Sequence, residues 1–354
     1  MGNSIFFRSR LSFNNKPISD DETLTLLKNA SLQDAQIECL SNHKLLLKIT
    51  FGNRLEAIFR GARGRLDCFE FVHAPLNFIV TYTIGKYFFP EHNIFPPAVI
   101  YRIPKEKINE SVRMQNKYMC QSLRYFPAYG DSGLDYYGSL SLWIENSVIA
   151  AQHPFWKKEG AEKLMYPFNL NYEHLENPYD LSWTKEFIEE MVYFNAQMQL
   201  VRSGDFHAAN WVITKDRNFP FQIDSQTILS FYDTQKERVD KYPYIRTNLR
   251  WGNAGNPRIS AFPESLFEKL RHAFAKDRYY ILNKLTHLDG NTFGLNRKDL
   301  RCLFRQWKKI KAKLYKFRKN KINPDTFFSL LKERRISFWH HDDNATPLYL
   351  IEGW

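Results

Sequence analysis

Short apolar runs separated by polar turns dominate the first half of the chain. Residues 36–40, 45–51 and 55–60 are three such runs, linked by Ser41-Asn42-His43-Lys44 and by Gly52-Asn53-Arg54. Adjacent strands with links this short predict an antiparallel sheet. Upstream, residues 1–35 are polar and mixed, and Ser19-Asp20-Asp21-Glu22 gives a helix start before Leu24, Leu26 and Leu27. Residues 61–75 predict a basic loop. Residues 76–88 alternate with a helical period that lets Phe78, Ile79, Tyr82 and Ile84 pack. A strand is expected over 95–102, an insertion or long loop over 104–137, and a second strand over 138–146. Residues 182–201 form a strongly amphipathic helix, with Phe187, Ile188, Met191, Phe194, Met198 and Val201 on one face and Ser182 as N-cap. A second helical stretch covers 264–287 and a third covers 297–321, with one more short helix from Asn323-Pro324-Asp325.

Between the helix at 182–201 and the stretch at 264–287 lies the one hairpin whose ends carry chemistry. Trp211-Val212-Ile213 and Phe221-Gln222-Ile223 are apolar strands around the turn Lys215-Asp216-Arg217-Asn218, which ends in Phe219-Pro220. A hairpin brings its outer ends together, so Asn210 and Asp224 are expected side by side at one mouth, with Asp205 projecting from the adjoining loop. Three oxygen-bearing side chains around one point suit Mg²⁺ or Mn²⁺ holding a nucleotide's phosphates. In phosphoryl transfer a loop Asp takes the acceptor hydroxyl's proton, while an Asn and a second Asp ligate the metals. His207 is expected to brace the loop through a ring N–H.

The run Gly204-Asp205-Phe206-His207-Ala208-Ala209-Asn210 resembles the catalytic loop of kinases of the aminoglycoside and choline type. The wider stretch, extended through Trp211-Val212-Ile213 to Ile223-Asp224, is more similar to type II phosphatidylinositol 4-kinases and to Fam20-related secretory-pathway kinases. Lys241-Tyr242-Pro243-Tyr244 adds to the likeness with the lipid kinases. This resemblance implies an α+β, bilobal protein kinase-like fold, with a small antiparallel-sheet lobe and a larger, mainly helical lobe. It also implies ATP as a substrate, with Asp205 catalytic and Asn210 and Asp224 holding the metal.

In such a fold the third strand of the small lobe carries the cation that holds the α- and β-phosphates. Glu56-Ala57-Ile58-Phe59-Arg60 resembles that strand with Arg60 in place of lysine, and Lys48 on the middle strand is the alternative. The helix that follows has no acid over residues 77–82 to pair with this cation, and Glu70 is the nearest candidate. Gly138 to Asn146 resembles the strand leading into the hinge of the lipid kinases, so the adenine is expected to bond backbone groups near Trp143 to Glu145. Residues 225–227 replace the Phe-Gly of protein kinases, so the usual flip of the metal-binding loop is not expected.

Charge and composition narrow the partners. The chain has 354 residues, 44% hydrophobic and 16% aromatic, enough for two lobes. No run of 18 or more apolar residues occurs, so no spanning helix is expected. The four cysteines, Cys39, Cys68, Cys120 and Cys302, are scattered and predict free thiols in a reducing, cytoplasmic environment. A net charge of +12 favours acidic partners. Twelve Lys or Arg face one Asp over residues 297–321, where Leu300, Leu303, Phe304, Trp307, Ile310, Leu314 and Phe317 keep helical spacing. Arg305, Lys308, Lys309, Lys313 and Lys316 then form a polyanion-binding stripe for an anionic membrane, a phosphoinositide or an inositol polyphosphate such as inositol hexakisphosphate. Residues 245–262 form a second basic loop. Nucleic acid lacks any recognisable binding module here.

The expected organisation is an N-terminal segment 1–35, a small lobe 36–145, a large lobe 146–295 and a basic helical region 296–354. The chain also resembles effector kinases that intracellular bacteria such as Legionella deliver into host cells, some of which need a host cofactor. Three readings stay open: an effector Ser/Thr protein kinase with a protein acceptor, a phosphoinositide kinase, and a catalytically dead module that binds anionic membranes.

Overall fold

The computed structural model describes residues 10–40, 45–61, 76–108, 110, 134–152, 185–201, 210–224, 259–260, 262–288, 294–295, 297–316, 318, 321–332, 336–337 and 350–351. The chain divides into two compact units. One comprises Met1–Thr83, Phe95–Ser147 and Asn283–Leu295; the other comprises Ile84–Ile94, Val148–Leu282 and Asn296–Trp354.

The first unit is built on a five-stranded antiparallel sheet. Its strands are β3 (Gln36–Cys39), β4 (Leu46–Thr50), β5 (Glu56–Gly61), β6 (Ala98–Pro104) and β7 (Asp135–Leu142), in the order β3-β4-β5-β7-β6. The three runs expected over residues 36–60 are β3 to β5. Alternation sets their faces: Leu47, Ile49, Ala57 and Phe59 are fully buried, whereas Lys48 and Thr50 on the other face are half-buried. The helix α2 (Leu76–Phe88) matches the expected span, and Phe78 and Ile79 pack with Ala98.

Two expectations change here. The insertion expected over 104–137 is shorter, because Asp135, Tyr136 and Tyr137 belong to β7 and pair with Pro104, Ile103 and Arg102. Asp135 is buried in that strand and is held by an ion pair with Arg102, so a charged residue that suggests a loop sits inside a sheet. The N-terminal segment also contains a hairpin, β1 (Leu11–Phe13) with β2 (Lys16–Ile18), closed by Asn14 and Asn15 at φ 52° and 61°. Two consecutive left-handed residues make the tight turn whose twist matches the flanking strands, and asparagine adopts that conformation readily. The expected helix start at Ser19 is present. It begins α1 (Asp20–Lys28), with Ser19 Oγ accepting from Glu22 N and Glu22 Oε2 accepting from Ser19 N in a reciprocal capping box. α1 is tied to α2 by the Tyr82 hydroxyl donating to Asp20 Oδ2 at 3.3 Å. Burial, then the Asp20 carboxylate, push that hydroxyl well up, so it stays a donor.

The second unit is mainly helical, with a small sheet of strand order β10-β9-β8. β8 is Ser147–Ile149, β9 is Trp211–Thr214 and β10 is Pro220–Gln222. Its central helix is α3 (Lys185–Leu200), and Ser182, its expected N-cap, lies outside the described residues. α3 is buried on more than the one expected face: Phe187 and Phe194 are covered, and so are Glu190, Val192, Tyr193 and Gln197. The stretch expected over 264–287 is two helices, α4 (Glu264–Ala275) and α5 (Arg278–Thr286). The break comes where Lys276 turns extended (ψ 158°) and Asp277 Oδ1 accepts from Tyr279 N, which starts the next helix.

The basic helix α6 runs over Arg297–Lys316 and stops short of residue 321. Lys321 instead begins β12 (Lys321–Ile322), parallel to β11 (Phe262–Pro263), and its ammonium meets Glu264 at 2.6 Å. Lys321 is therefore paired and lies outside the helix with which the charge run counted it. The short helix expected from Asn323 is α7 (Pro324–Lys332), and Asn323 Oδ1 accepts from Asp325 N at 2.9 Å. Among the described residues no helix is long and apolar enough to cross a membrane.

Gly138 sits in β7 opposite Gly61, where a Cβ would lie 2.1 Å from Arg60 O and 2.8 Å from a Phe59 ring carbon. Backbone cannot yield there without parting β5 from β7. Gly138→Ala is expected to cost about 1–3 kcal/mol, read as a lower urea midpoint at unchanged slope. A midpoint equal to wild type would contradict this close approach.

Candidate functional site

The hairpin β9–β10 is apolar along both arms and polar only at its ends. Trp211, Val212, Ile213 and Phe221 are all buried. Register pairs Gln222 with Trp211, Phe221 with Val212 and Pro220 with Ile213. The closed end is a polar turn. Thr214 N donates to Phe219 O at 3.0 Å, Asn218 N to Thr214 O at 2.9 Å and Phe219 N to Thr214 Oγ1 at 3.0 Å. Asn218 takes φ 55°, which its short amide side chain tolerates.

The open end is where the expected site residues meet. The carbonyl of Asn210 accepts from Ile223 N at 2.9 Å and from Asp224 N at 3.1 Å. One oxygen thus fixes the two positions against each other. Asn210 is 7% exposed and Asp224 is half-buried. Asp205 and His207, on the loop before Asn210, lie outside the described residues, as do residues 225–258 with the 225–227 triplet and most of the second basic loop.

Two glutamines that sequence reading did not single out hold this mouth. Gln222 is fully buried; its N donates to Ile94 O at 2.9 Å and its Nε2 donates to Asp224 O. Asp224 is therefore anchored at both main-chain groups, by Asn210 O at its N–H and by Gln222 at its carbonyl. Gln197 of α3 is also fully buried. Its Oε1 accepts from Ile94 N at 3.2 Å and its Nε2 donates to His92 O at 2.7 Å. Ile94 is thus held on one side by the central helix and on the other by the hairpin. Apolar packing completes the seat, with the Phe194 and Trp211 rings 5.0 Å apart. Anchoring both main-chain groups fixes the position from which the Asp224 side chain starts, a condition for a pre-organised site.

Asn210 and Asp224 offer a carboxamide and a carboxylate oxygen from adjacent positions, a hard-donor pair suited to Mg²⁺ or Mn²⁺. Among the described residues no group of three or more His, Cys, Asp or Glu gathers as a metal site.

The first unit holds the other expected residues. Register puts Lys48 opposite Ile58 and Ser141 opposite Ile58, and strand periodicity adds Glu56 and Arg60, so all share one sheet face. On that face the two candidate cations differ. Lys48 Nζ is 2.7 Å from Glu56 Oε1 and lies over the Trp143 ring at 4.6 Å. Arg60 is buried, its Nη1 donating to Ser141 Oγ at 2.7 Å and its guanidinium lying 4.0 Å over the Phe78 ring. Phe78 belongs to α2, so strand and helix meet through a cation–π contact; Glu70 lies outside the described residues.

Two of the residues expected near the adenine have partners within the first unit. Trp143 N donates to Glu56 O at 3.0 Å, which extends the β5–β7 ladder and commits that N–H. The Glu145 carboxylate accepts from Ser12 Oγ at 3.3 Å and from Asn14 N at 3.2 Å of the N-terminal hairpin, and these bonds do not use its backbone groups. Of the stripe on α6, Arg305 and Lys308 are exposed, while Leu300, Leu303, Trp307, Ile310 and Leu314 are buried beneath them. The side chains of Lys309, Lys313 and Lys316 lie outside the described set, and so does Phe317.

No protein-family model matches the chain, and no curated protein matches it. Solved structures do. The Golgi casein kinase matches at 12% identity and a TM-score of 0.49, over 86% of this chain and 79% of that one. The Golgi casein kinase with Mn/ADP bound matches at 11% identity and a TM-score of 0.50, over 86% of this chain and 78% of that one. At such identity the second likeness shows fold alone, and it shows that the chain has the α+β, kinase-like fold.

Proposed function

We propose that this chain is an ATP-dependent phosphotransferase, with a protein Ser/Thr hydroxyl as its acceptor. The observation that carries the reading is the hairpin mouth, where Asn210 O binds the Asp224 N–H and sets two metal-type ligands side by side. The kinase-like fold supports it, and the Mn/ADP of the Golgi casein kinase is the ligand pair we carry over to this site. A divalent ion there would neutralise the phosphate oxygens of the nucleotide as charge shifts to the leaving group. Asn210 and Asp224 supply its oxygens from fixed backbone positions. Asp205 orients the acceptor hydroxyl and takes its proton. Arg60 is the proposed phosphate-binding cation, because Lys48 already pairs with Glu56. A planar guanidinium carries its donors in a fork that suits phosphate, as a lysine ammonium does not.

A phosphoinositide is the second acceptor class, favoured by the exposed Arg305 and Lys308 on α6. Radiolabelled ATP, with protein and lipid fractions counted apart, separates the two. Label in lipid alone would replace the protein acceptor. Binding to anionic vesicles that survives Asp224→Ala, with no ATP turnover in either form, would leave only a membrane-binding module.

ATP with Mn²⁺ at about a hundred times Kd is expected to stabilise the fold by roughly 2.7 kcal/mol, which raises Tm by about 3–4 °C for a chain of this size. Asp224→Ala is expected to abolish the shift, whereas Asp205→Asn keeps it and loses turnover. An unchanged shift in Asp224→Ala would contradict the metal assignment. Arg60→Met is expected to raise KM for ATP roughly tenfold, the loss of one charge-assisted contact of about 1.4 kcal/mol. Equal KM values would move the phosphate cation elsewhere.

A further inference from the structure

We propose that a pocket wholly inside the second unit is a docking site for an acidic peptide segment that inserts one aromatic or large aliphatic side chain. The pocket is independent of the phosphotransferase reading. It encloses about 50 Å³ between α4, the start of α5, the outer part of α6 and the end of α2.

Its walls are aromatic, and they are built for a reason. Trp307 of α6 is 5% exposed and donates its indole N–H to Leu200 O at 3.0 Å. The polar edge of the ring is thereby used, and the carbon edge is left to pack. Phe88 meets Trp307 edge-on at 4.8 Å and Phe274 at 5.2 Å, and Phe304 meets Trp307 at 5.3 Å. These four rings hold one another in place, so the pocket is pre-formed.

The lining also includes three cations, Arg278, Lys308 and Lys311. Arg278 and Lys308 are exposed and Lys311 is half-buried. None of the three makes an ion pair or hydrogen bond with a described residue. Asp277 is the acid beside them. Burial, then its carboxylate, push the Tyr87 hydroxyl up, while Arg278 pulls it down. Among the described lining residues there are three cations and no acid, so the lining is positive even with Asp277 next to Arg278 in the chain.

Size and chemistry together choose the occupant. The open pocket, at about 50 Å³, takes the tip of one side chain and is far too small for an acyl chain. The cations at the rim can meet a phosphate, but the aromatic walls give a polyol's hydroxyls no partners, and burying them there is costly. An apolar side chain fills the pocket instead, and acids on either side of it reach the cations. Tyr279 and Tyr280, next to Arg278 in the chain, are 78% and 61% exposed and extend the apolar surface available to a partner. Aromatic and Arg anchors around a small pocket are the groups that dominate peptide and protein recognition.

The test uses the full chain and a fluorescein-labelled peptide, Glu-Asp-Phe-Asp-Glu, followed by anisotropy, with the same peptide carrying Ala for Phe beside it. The Phe peptide is expected to bind at least tenfold tighter than the Ala peptide. The double substitution Lys308→Glu and Lys311→Glu is expected to weaken it at least tenfold at unchanged Tm, and Lys308→Gln to weaken it less. Equal affinity of the two peptides, or indifference to both variants, would overturn the proposal. Should phosphatidylserine vesicles bind the wild type and lose the double variant while neither peptide binds, the surface is a membrane contact and the proposal fails.

Discussion

The main-chain oxygen of Asn210, shared between the N–H groups of Ile223 and Asp224, is the contact on which the candidate site depends. It turns two residues fourteen positions apart into neighbours whose spacing does not rely on flexible side chains. A buried backbone carbonyl with two donors is fully satisfied, and losing either donor in a dry site costs on the order of 1–3 kcal/mol. The geometry at the mouth is thus maintained by the same energetics that keep the hairpin folded.

That contact is itself supported from behind. Gln197 reads the main chain at His92 and Ile94, Ile94 O receives Gln222 N, and the Gln222 side chain fixes the Asp224 carbonyl. His92 stacks on Tyr193 at 4.2 Å and its Nδ1 meets Glu190 Oε1 at 2.7 Å, so the segment before Ile94 is tied to α3 at several points. Gly85 makes room for this arrangement: a Cβ there would lie 2.0 Å from Asn93 Oδ1 and 2.9 Å from Gln197 Oε1. Buried amide networks of this kind act as a unit, because each member left unpaired costs more than its own bond.

Much of this was legible in the chain. The three strands of residues 36–60, the helix at 76–88, the hairpin and the capping box at Ser19 all rest on local periodicity, turn residues or caps, which a sequence displays directly. What escaped reading depends on distant partners. Gln197 and Gln222 look like ordinary polar positions, and only the fold brings them to Ile94. Asp135 looked like loop until Arg102 across the sheet neutralised it. The strand resemblance prefers Arg60 to Lys48; the two share a face, and the pairing of Lys48 with Glu56 shows only once the register is fixed. Lys321 was counted with a helix that ends at Lys316, because charge alone does not mark where a helix stops. The Asn14-Asn15 turn did carry a local signal, two asparagines between short apolar pairs, and its meaning emerged with Glu145 seated on it.

The central claim is that Asn210 and Asp224 ligate one cation. Its most direct measurement is anomalous diffraction from crystals grown with Mn²⁺ and ADP. The account predicts an anomalous peak about 2.0–2.5 Å from both Asn210 Oδ1 and an Asp224 carboxylate oxygen. A peak bound elsewhere on the chain, with the hairpin mouth empty, would contradict it.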